Sequence, residues 1–376
     1  MSEQTKKVSL KNRIELALDK AKELETSVLF SNTFRFDVRD LLPILSHPAD
    51  KTKTRIYWEQ PSAGQAFAAL GSILEFEDTI HTHSDHVHSQ IKEIMKNAVS
   101  ISDNILIGPR MVGGYSFNQY KGNDNTWCKF PRTLFILPEC LGTSTDDGTW
   151  LTLSRMVHPN EKLDSITSDI QRTKIFYENR LPVTLPPISR VEIDKYKDIP
   201  NQSTYSKTIY SVLSKIKPGE LQKVVISRSH HVRVGSGFSG ISAMQILRNV
   251  YPKCTSFFFS FSGKGTFFGS TPERLIKLKN GYIQTEALAG TIARGKNMEE
   301  DRILAKTLMG SHKEREEHSF VIEQLLRKLE PIVSDLKYSN FPQILKLKNV
   351  QHLRTPINGK LTTKVHILNL VSLLHP

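Results

Sequence analysis

The sequence predicts an α+β protein of large, mainly antiparallel sheets flanked by helices. Two observations carry that expectation. Tight turns join apolar runs: Ser262-Gly263-Lys264-Gly265 links 255–261 to 266–269, and Asn280-Gly281 links 274–279 to 282–288. Asn-Gly between alternating runs marks a two-residue hairpin, because both residues tolerate positive φ. Helical stretches with capping pairs stand beside these hairpins, Asn297 with Glu300 and Ser311 with Glu314. At 376 residues the chain is longer than one ordinary domain and can bury a sizeable core.

From the N-terminus, residues 8–29 read as an amphipathic helix with Ile14, Ala17, Leu18, Ala21 and Leu24 on one side. Strands are expected at 28–30, 55–58 and 67–74, a helix over 82–100, and strands at 105–108, 133–137 and 149–153. His81, His83, His86 and His88 cluster at the start of that helix. On a helix His83 and His86 face one way and His81 and His88 the other, so the cluster reads as surface rather than as a metal site. The Pro-rich stretch 182–203 reads as a linker, which sets domains at 1–200 and 201–376.

The second half continues with a helix over 204–216 and a strand over 221–234. Gly235-Ser236-Gly237-Phe238-Ser239-Gly240 is a literal GxGxxG before the helix 241–250. A dinucleotide fold needs an acidic residue about 20 positions on, and 255–263 has none. The preceding strand, with Arg228, His230, His231 and Arg233, is also too polar to lie buried in a parallel sheet. The glycines are read as a loop. The Asn280-Gly281 turn then fixes a register in which Lys279 faces Tyr282, Leu275 faces Glu286 and Glu273 faces Leu288, so Glu273 is expected beside the Leu288–Thr291 loop. Helices follow from Asn297 to about 309 and from Ser311 to Glu330. In the second, Glu314, Glu317, His318, Val321 and Leu325 share a face, and Val321, Ile322, Leu325 and Leu329 form the stripe expected to be buried.

Composition excludes several classes. The formal charge is +13, and residues 201–300 hold +9 of it, with 14 Lys/Arg against 5 Glu. There is no basic run, zinc-finger spacing or RRM signature, so no nucleic-acid partner is expected. The excess reads either as a solvated surface or as the surroundings of a small anionic ligand. Cys128, Cys140 and Cys254 are odd in number and widely spaced, which argues against a disulfide framework and fits a reducing compartment. The chain lacks a membrane-spanning apolar run, and its start, carrying acids and no apolar core, is no signal peptide, so a cytoplasmic protein is expected.

Three residues stand out chemically. Lys223, in the apolar run LQKVVIS, would have its charged form disfavoured by burial and could serve as a general base; the plainer reading is a lysine snorkelling at a strand end. Glu273, at a turn beside an apolar loop, could be held protonated as a general acid; the plainer reading is an exposed turn glutamate. Glu317, on a core-facing seam, could bind a hard divalent cation; the plainer reading is an ion pair with Lys313 or Arg315.

Five segments in order carry a family resemblance: KVVISR at 223–228, GSTPE at 269–273, TEALAGTIARG at 285–295, KEREEH at 313–318 and QHLRTPI at 351–357. With them the chain resembles the chorismate-utilising enzymes, and among these the isochorismate synthases of the menaquinone type. WEQPSAGQAFAALG at 58–71 and GPRMVGGYSF at 108–117 agree with that branch. The resemblance implies a magnesium-dependent isomerase that adds water at ring carbon 2 of chorismate while the hydroxyl at carbon 4 leaves. It implies Lys223 as base, Glu273 as acid, Glu317 as a Mg2+ ligand, and Gly290, Thr291 and His352 as substrate-binding residues. It implies no glutamine amidotransferase subunit. Anthranilate synthases usually carry glutamine at the position of Lys223, and aminodeoxychorismate synthases place a lysine in the motif where Ala289 stands here. Salicylate synthases, which also eliminate pyruvate, share the lysine and the loop and are the alternative. In the family, LVSLLHP at 370–376 leads into a segment that carries a second magnesium glutamate, a substrate-binding arginine and a backbone anion cradle. The chain is accordingly expected to be a truncated form of the fold, with an inactive chorismate-binding remnant as a further alternative.

Overall fold

The computed structural model describes residues 10–375 apart from 37, 39, 48–52, 79–83, 101–106, 118–126, 181–184, 186, 189, 217–219, 222–223 and 236, with backbone only at 78, 84–87 and 180. The first part contains α1 (Leu10–Glu23), β1 (Val28–Arg35), β2 (Arg55–Gln60), β3 (Gln65–Leu70), β4 (Leu74–Asp78), α2 (Ser84–Asn97) and β5 (Val99–Ser100). It continues with β6 (Val112–Tyr115), β7 (Thr133–Leu137), β8 (Cys140–Thr145), β9 (Gly148–Val157) and α3 (Leu163–Arg180). Then come β10 (Ile193–Ile199), α4 (Gln202–Ile216), β11 (Ser229–Val234), α5 (Gly240–Val250), β12 (Thr255–Phe261), β13 (Gly265–Thr271), β14 (Lys277–Lys279) and β15 (Tyr282–Ala293). The last elements are α6 (Met298–Gly310), α7 (His312–Leu329), β16 (Val333–Tyr338), β17 (Gln343–Lys346), β18 (Val350–Leu361) and α8 (Ile367–Leu374).

Contacts divide the chain into two units, one running to residue 185 and resuming at 244, the other covering 186–243. The larger unit holds an eight-stranded sheet in the order β13-β12-β2-β3-β8-β9-β1-β5, antiparallel throughout except for β1 with β5. Helices α1 and α3 cover it with Ile14, Ala17, Leu18, Ala21, Ile166 and Ile170 against Val28, Phe30 and Val157. The buried face of α1 is the one its apolar spacing marks, although the helix ends before Leu24. A three-stranded sheet runs β4-β7-β6. The site-bearing sheet runs β14-β15-β18-β16, with β17 also on β18.

In that sheet β18 alternates strictly. Gln351, Leu353, Thr355, Ile357 and Leu361 are buried, and His352, Arg354, Pro356, Asn358 and Lys360 lie on the open face. Ile283, Leu329, Val333, Ile357, Leu361, Leu370 and Leu374 form one core beneath it. Only His318 and Leu329 of α7 are fully buried, while Val321, Ile322 and Leu325 remain partly accessible. Both helix caps form as read: Asn297 Oδ1 accepts from Glu300 N at 2.9 Å, and Ser311 Oγ from Glu314 N at 3.4 Å.

The smaller unit pairs β10 with β11. The expected strand 221–234 is shortened to Ser229–Val234. Ser229 is matched by Ile199, and the next residue of the partner strand is Pro200, which has no N–H for a ladder. Val225, expected on a strand, is 82% exposed. The GxGxxG glycines precede α5 as a loop, with Gly237 at φ 114, and the polar strand before them lies in an exposed antiparallel pair. Expected strand 105–108 is absent at residues 107–108, while 105–106, His81 and His83 lie outside the described residues. His88 stacks on His366, ring centroids 3.7 Å apart. Among the described residues no cysteine is joined in a disulfide, and no helix is long and apolar enough to cross a membrane.

A carboxylate ties the end of β15 to α6 and β18. Asp301 accepts from Arg294 Nε at 2.6 Å, Gly295 N at 3.1 Å, Lys346 Nζ at 2.7 Å and Gln351 Nε2 at 3.2 Å. The hydrogen bonds from Arg294 and Lys346 hold its carboxyl far below the usual range. A depressed carboxyl pKa contributes stability above the unfolded value, near 4, and loses it as the pH falls through the lower folded value. Asp301→Asn is therefore expected to lower the thermal midpoint at pH 7 and to flatten its fall below about pH 4. Thermal melts of both proteins from pH 7 to pH 2 check this; an unchanged acid slope would remove Asp301 from the clamp.

Candidate functional site

The site grows from one irregularity in the β15–β18 ladder. Pairing runs in step from Tyr282↔Lys360 to Ala289↔Leu353 and resumes at Thr291↔His352, leaving Gly290 as an inserted residue. Gly290 has φ +77, and a Cβ there would stand 3.2 Å from Leu353 Cδ1 and 3.3 Å from the Glu314 carbonyl oxygen. Glycine thus meets both the left-handed backbone and the close approach of α7. The bulge turns Thr291 toward the open face. Its hydroxyl lies 2.9 Å from His352 Nδ1, and its N–H donates to Glu314 Oε2 at 3.1 Å.

Burial lowers the His352 pKa against the opposing effect of a Gly290 backbone hydrogen bond, so the ring is neutral at pH 7. His318, beneath the sheet, is 2% exposed, pairs through Nε2 with Thr355 Oγ1 at 2.9 Å, and is lowered by burial. Glu314 and Glu317 are half-buried and three residues apart on α7, which places them on one side of the helix. Two carboxylates of this kind suit a hard divalent cation, whose remaining positions water and substrate can fill. Among the described residues no set of three or more ligating side chains converges.

Glu273 sits in the segment between β13 and β14, its N–H donating to Thr271 Oγ1 at 3.2 Å. The Asn280-Gly281 turn gives the expected pair Lys279↔Tyr282, followed by Leu278↔Ile283 and Lys277↔Gln284. The ladder stops there, so the expected backbone pairings of Leu275 with Glu286 and Glu273 with Leu288 do not form. The Thr285 hydroxyl takes their place, donating to the Leu275 carbonyl at 2.6 Å. Although Glu273 is exposed by surface area, the protein around it desolvates the carboxyl and Glu286 repels its charge. Both effects raise its pKa, desolvation the more.

The structure therefore brings Gly290, Thr291 and His352 together, with Glu317 on the adjoining helix and Glu273 beside the same strand. Lys223 lies outside the described residues. The sequence places Glu314 in a capping box and on the helix face of Glu317 but assigns its side chain no part in the site; that part comes from the Thr291 N–H it accepts. Reading also passed over Asp301, whose partners arrive from Arg294, Lys346 and Gln351.

Residues 16–376 match the family described as chorismate binding enzyme. The chain belongs to the chorismate binding enzymes. Among its relatives is "Isochorismate synthase MenF" of Bacillus subtilis, 29% identical over 372 residues, covering 96% of this chain and 77% of that one. "Salicylate biosynthesis isochorismate synthase" of Pseudomonas aeruginosa is 28% identical over 375 residues, covering 98% and 76%. Among solved structures, the menaquinone-specific isochorismate synthase MenF of Escherichia coli superposes with a TM-score of 0.74 at 23% identity, covering 97% of this chain and 79% of that chain. At that identity the likeness speaks for the α+β fold.

Gly290→Ala is expected to cost about 1–3 kcal/mol, from the positive φ and the crowding by Leu353 and Glu314. It should also weaken chorismate binding by displacing Thr291. Denaturant unfolding and chorismate titration check the two effects. Unchanged stability would show that the bulge tolerates a side chain.

Proposed function

We propose that this chain is an isochorismate synthase, an isomerase converting chorismate to isochorismate, in a cytoplasmic pathway toward menaquinone. Family membership and the isochorismate synthase relatives support the reaction class. The observation that carries it is the Gly290 bulge. It presents the Thr291–His352 pair on an open sheet face, with a carboxyl of raised pKa and the α7 carboxylates beside it. Lys223, where anthranilate synthases usually carry glutamine, and Ala289, where aminodeoxychorismate synthases place a lysine, both point to water as the incoming group, and no glutamine amidotransferase subunit is expected. Residues 201–376 carry this chemistry in our reading.

In the proposed reaction Lys223 takes a proton from water as its oxygen bonds to ring carbon 2. The ring double bonds shift, the bond from carbon 4 to its hydroxyl breaks, and Glu273 gives that hydroxyl its proton so that water leaves. One water enters and one departs, so substrate and product are isomers. The raised pKa of Glu273 keeps the acid form populated at higher pH than an ordinary glutamate. The hydroxyl of Thr291 and the neutral ring of His352 bind and orient the substrate. Glu317, with Glu314 one turn before it, would hold magnesium. When bound, the ion supplies positive charge for the substrate's ring carboxylate.

Chromatography of products from chorismate and magnesium tests the reading. Isochorismate is expected; salicylate with pyruvate would favour the salicylate synthases, and binding without conversion the inactive remnant. Lys223→Ala is expected to abolish water addition while the circular dichroism spectrum stays unchanged. Retained turnover would remove Lys223 from the mechanism. Glu273→Gln should lower kcat by about 100-fold or more.

A further inference from the structure

The end of the site-bearing sheet away from the Gly290 bulge gathers cations that the reaction above does not use. Two rows of side chains cross its open face there. The first runs Lys279, Tyr282, Lys360, Ser334, and the second Lys277, Gln284, Asn358, Lys337. Strand alternation puts these residues opposite the face that buries Ile283, Val333, Ile357 and Leu361. A bulge decides the last place: pairing steps from Ser334↔Lys360 to Lys337↔Asn358, with Asp335 at φ 53. Leu336 thereby packs against the core, and Lys337 takes the open face.

Among the described residues no carboxylate forms an ion pair with any of these four lysines. The next acid along β15, Glu286, is already taken, accepting from Arg354 Nε at 2.5 Å. Burial first, and then the charges of Arg274 and Lys279, lower the Lys277 pKa. Like charges set side by side on a sheet cost stability, and a face that served only for solvation would interleave acids. Lys277, Lys279, Asn280, Tyr282 and Gln284 line a cavity of about 290 Å³ on this patch. Tyr282 is 56% exposed and stands between Lys279 and Lys360, whose Nζ lies 5.8 Å from its ring centre. Its ring thus offers a flat apolar face flanked by ammonium groups on two sides, and the carboxamides of Asn280 and Gln284 add hydrogen-bond donors. With neighbouring strands about 5 Å apart, the backbones of Lys279 and Lys360 stand roughly 10 Å apart, which suits a ring bearing an anionic group at each end.

We propose that this patch is a second binding site, for a small ring-bearing dicarboxylate: the ring lies on Tyr282, the carboxylates meet the ammonium groups of Lys279 and Lys360, and Lys277 and Lys337 add charge from the second row. Chorismate itself belongs to that chemical class. The site is separate from the Thr291–His352 pair, because Lys360 is eight residues along β18 from His352. It stands on binding alone and does not depend on the reaction proposed above. A single carboxylate would meet only one end of it, and inorganic phosphate would leave the ring unused.

Fluorine-19 NMR of the full chain labelled with 3-fluorotyrosine reads the site locally, with Tyr282→Phe assigning the Tyr282 signal. The probe is isophthalate, a benzene ring with two carboxylates, and benzoate and inorganic phosphate are the comparisons. Isophthalate should move the Tyr282 signal saturably, and at equal concentration the other two should move it less. Lys279→Gln with Lys360→Gln should raise the isophthalate Kd about tenfold. If that variant fails to fold, Lys277→Gln with Lys337→Gln must raise it about threefold. A Tyr282 signal that isophthalate leaves unmoved overturns the proposal, as does an equal response to phosphate or an unchanged Kd in the lysine variants. An unmoved signal in a chain that makes isochorismate removes the patch and leaves the functional reading. A saturable shift in a chain that makes none upholds the patch and refutes that reading.

Discussion

The bulge at Gly290 sets the geometry on which the site depends. Side chains alternate across a strand, so one inserted residue exchanges the faces for everything beyond it. Without it Gly290 would pair with His352, and Thr291 would turn toward the helices. With it, glycine meets α7 where a Cβ would stand 3.2 Å from Leu353, and Thr291 meets His352 across the open face. The same residue therefore lets the helix approach and presents the hydroxyl. Glu314 closes the arrangement by accepting the Thr291 N–H, which the bulge has released from regular pairing.

Two kinds of electrostatic environment flank that bulge. At one end, Asp301 collects donors from Arg294, Gly295, Lys346 and Gln351 and is held ionised. Its role is to fasten β15, α6 and β18 together. At the other, Glu273 has no such donors to its carboxyl among the described residues and is pushed toward its neutral form. A carboxyl group surrounded by cationic donors suits anchoring, and one left with desolvation and a like charge suits proton donation. The contrast arises from neighbours alone, since both are carboxylic acids of nearly equal intrinsic strength.

Much of this was legible from local chemistry. The Asn280-Gly281 turn gave the Lys279–Tyr282 pairing, and the apolar spacing of α1 gave its buried face. Asn297 and Ser311 cap the helices their spacing with Glu300 and Glu314 implied. Local chemistry failed where a partner from elsewhere decided the outcome. The strand expected over 221–234 shortens where β10 gives way to Pro200, and the hairpin ladder stops where the Thr285 hydroxyl takes the Leu275 carbonyl. The Glu286–Arg354 and Asp301 clusters join residues 45–68 positions apart. No periodicity encodes such a meeting. The roles of Lys223 and Glu317 came from motif resemblance, because a strand-like run or a helical seam has the same spacing whether or not it carries chemistry.

The order of strands in the eight-stranded sheet bears on how the chain is made. Six of its strands lie before residue 158, but β12 and β13, which complete its β2 edge, come after residue 254. Between them lies the whole of the 186–243 unit. During synthesis the backbone donors and acceptors of Arg55–Glu59 must therefore await Ser256–Ser260, some two hundred residues later. Such long-range closure slows folding and leaves an open strand edge during chain growth. The first 185 residues are consequently a poor unit for separate expression, and a nascent chain stalled there would present its aromatic β2 edge, Tyr57 and Trp58 included, to any strand it meets.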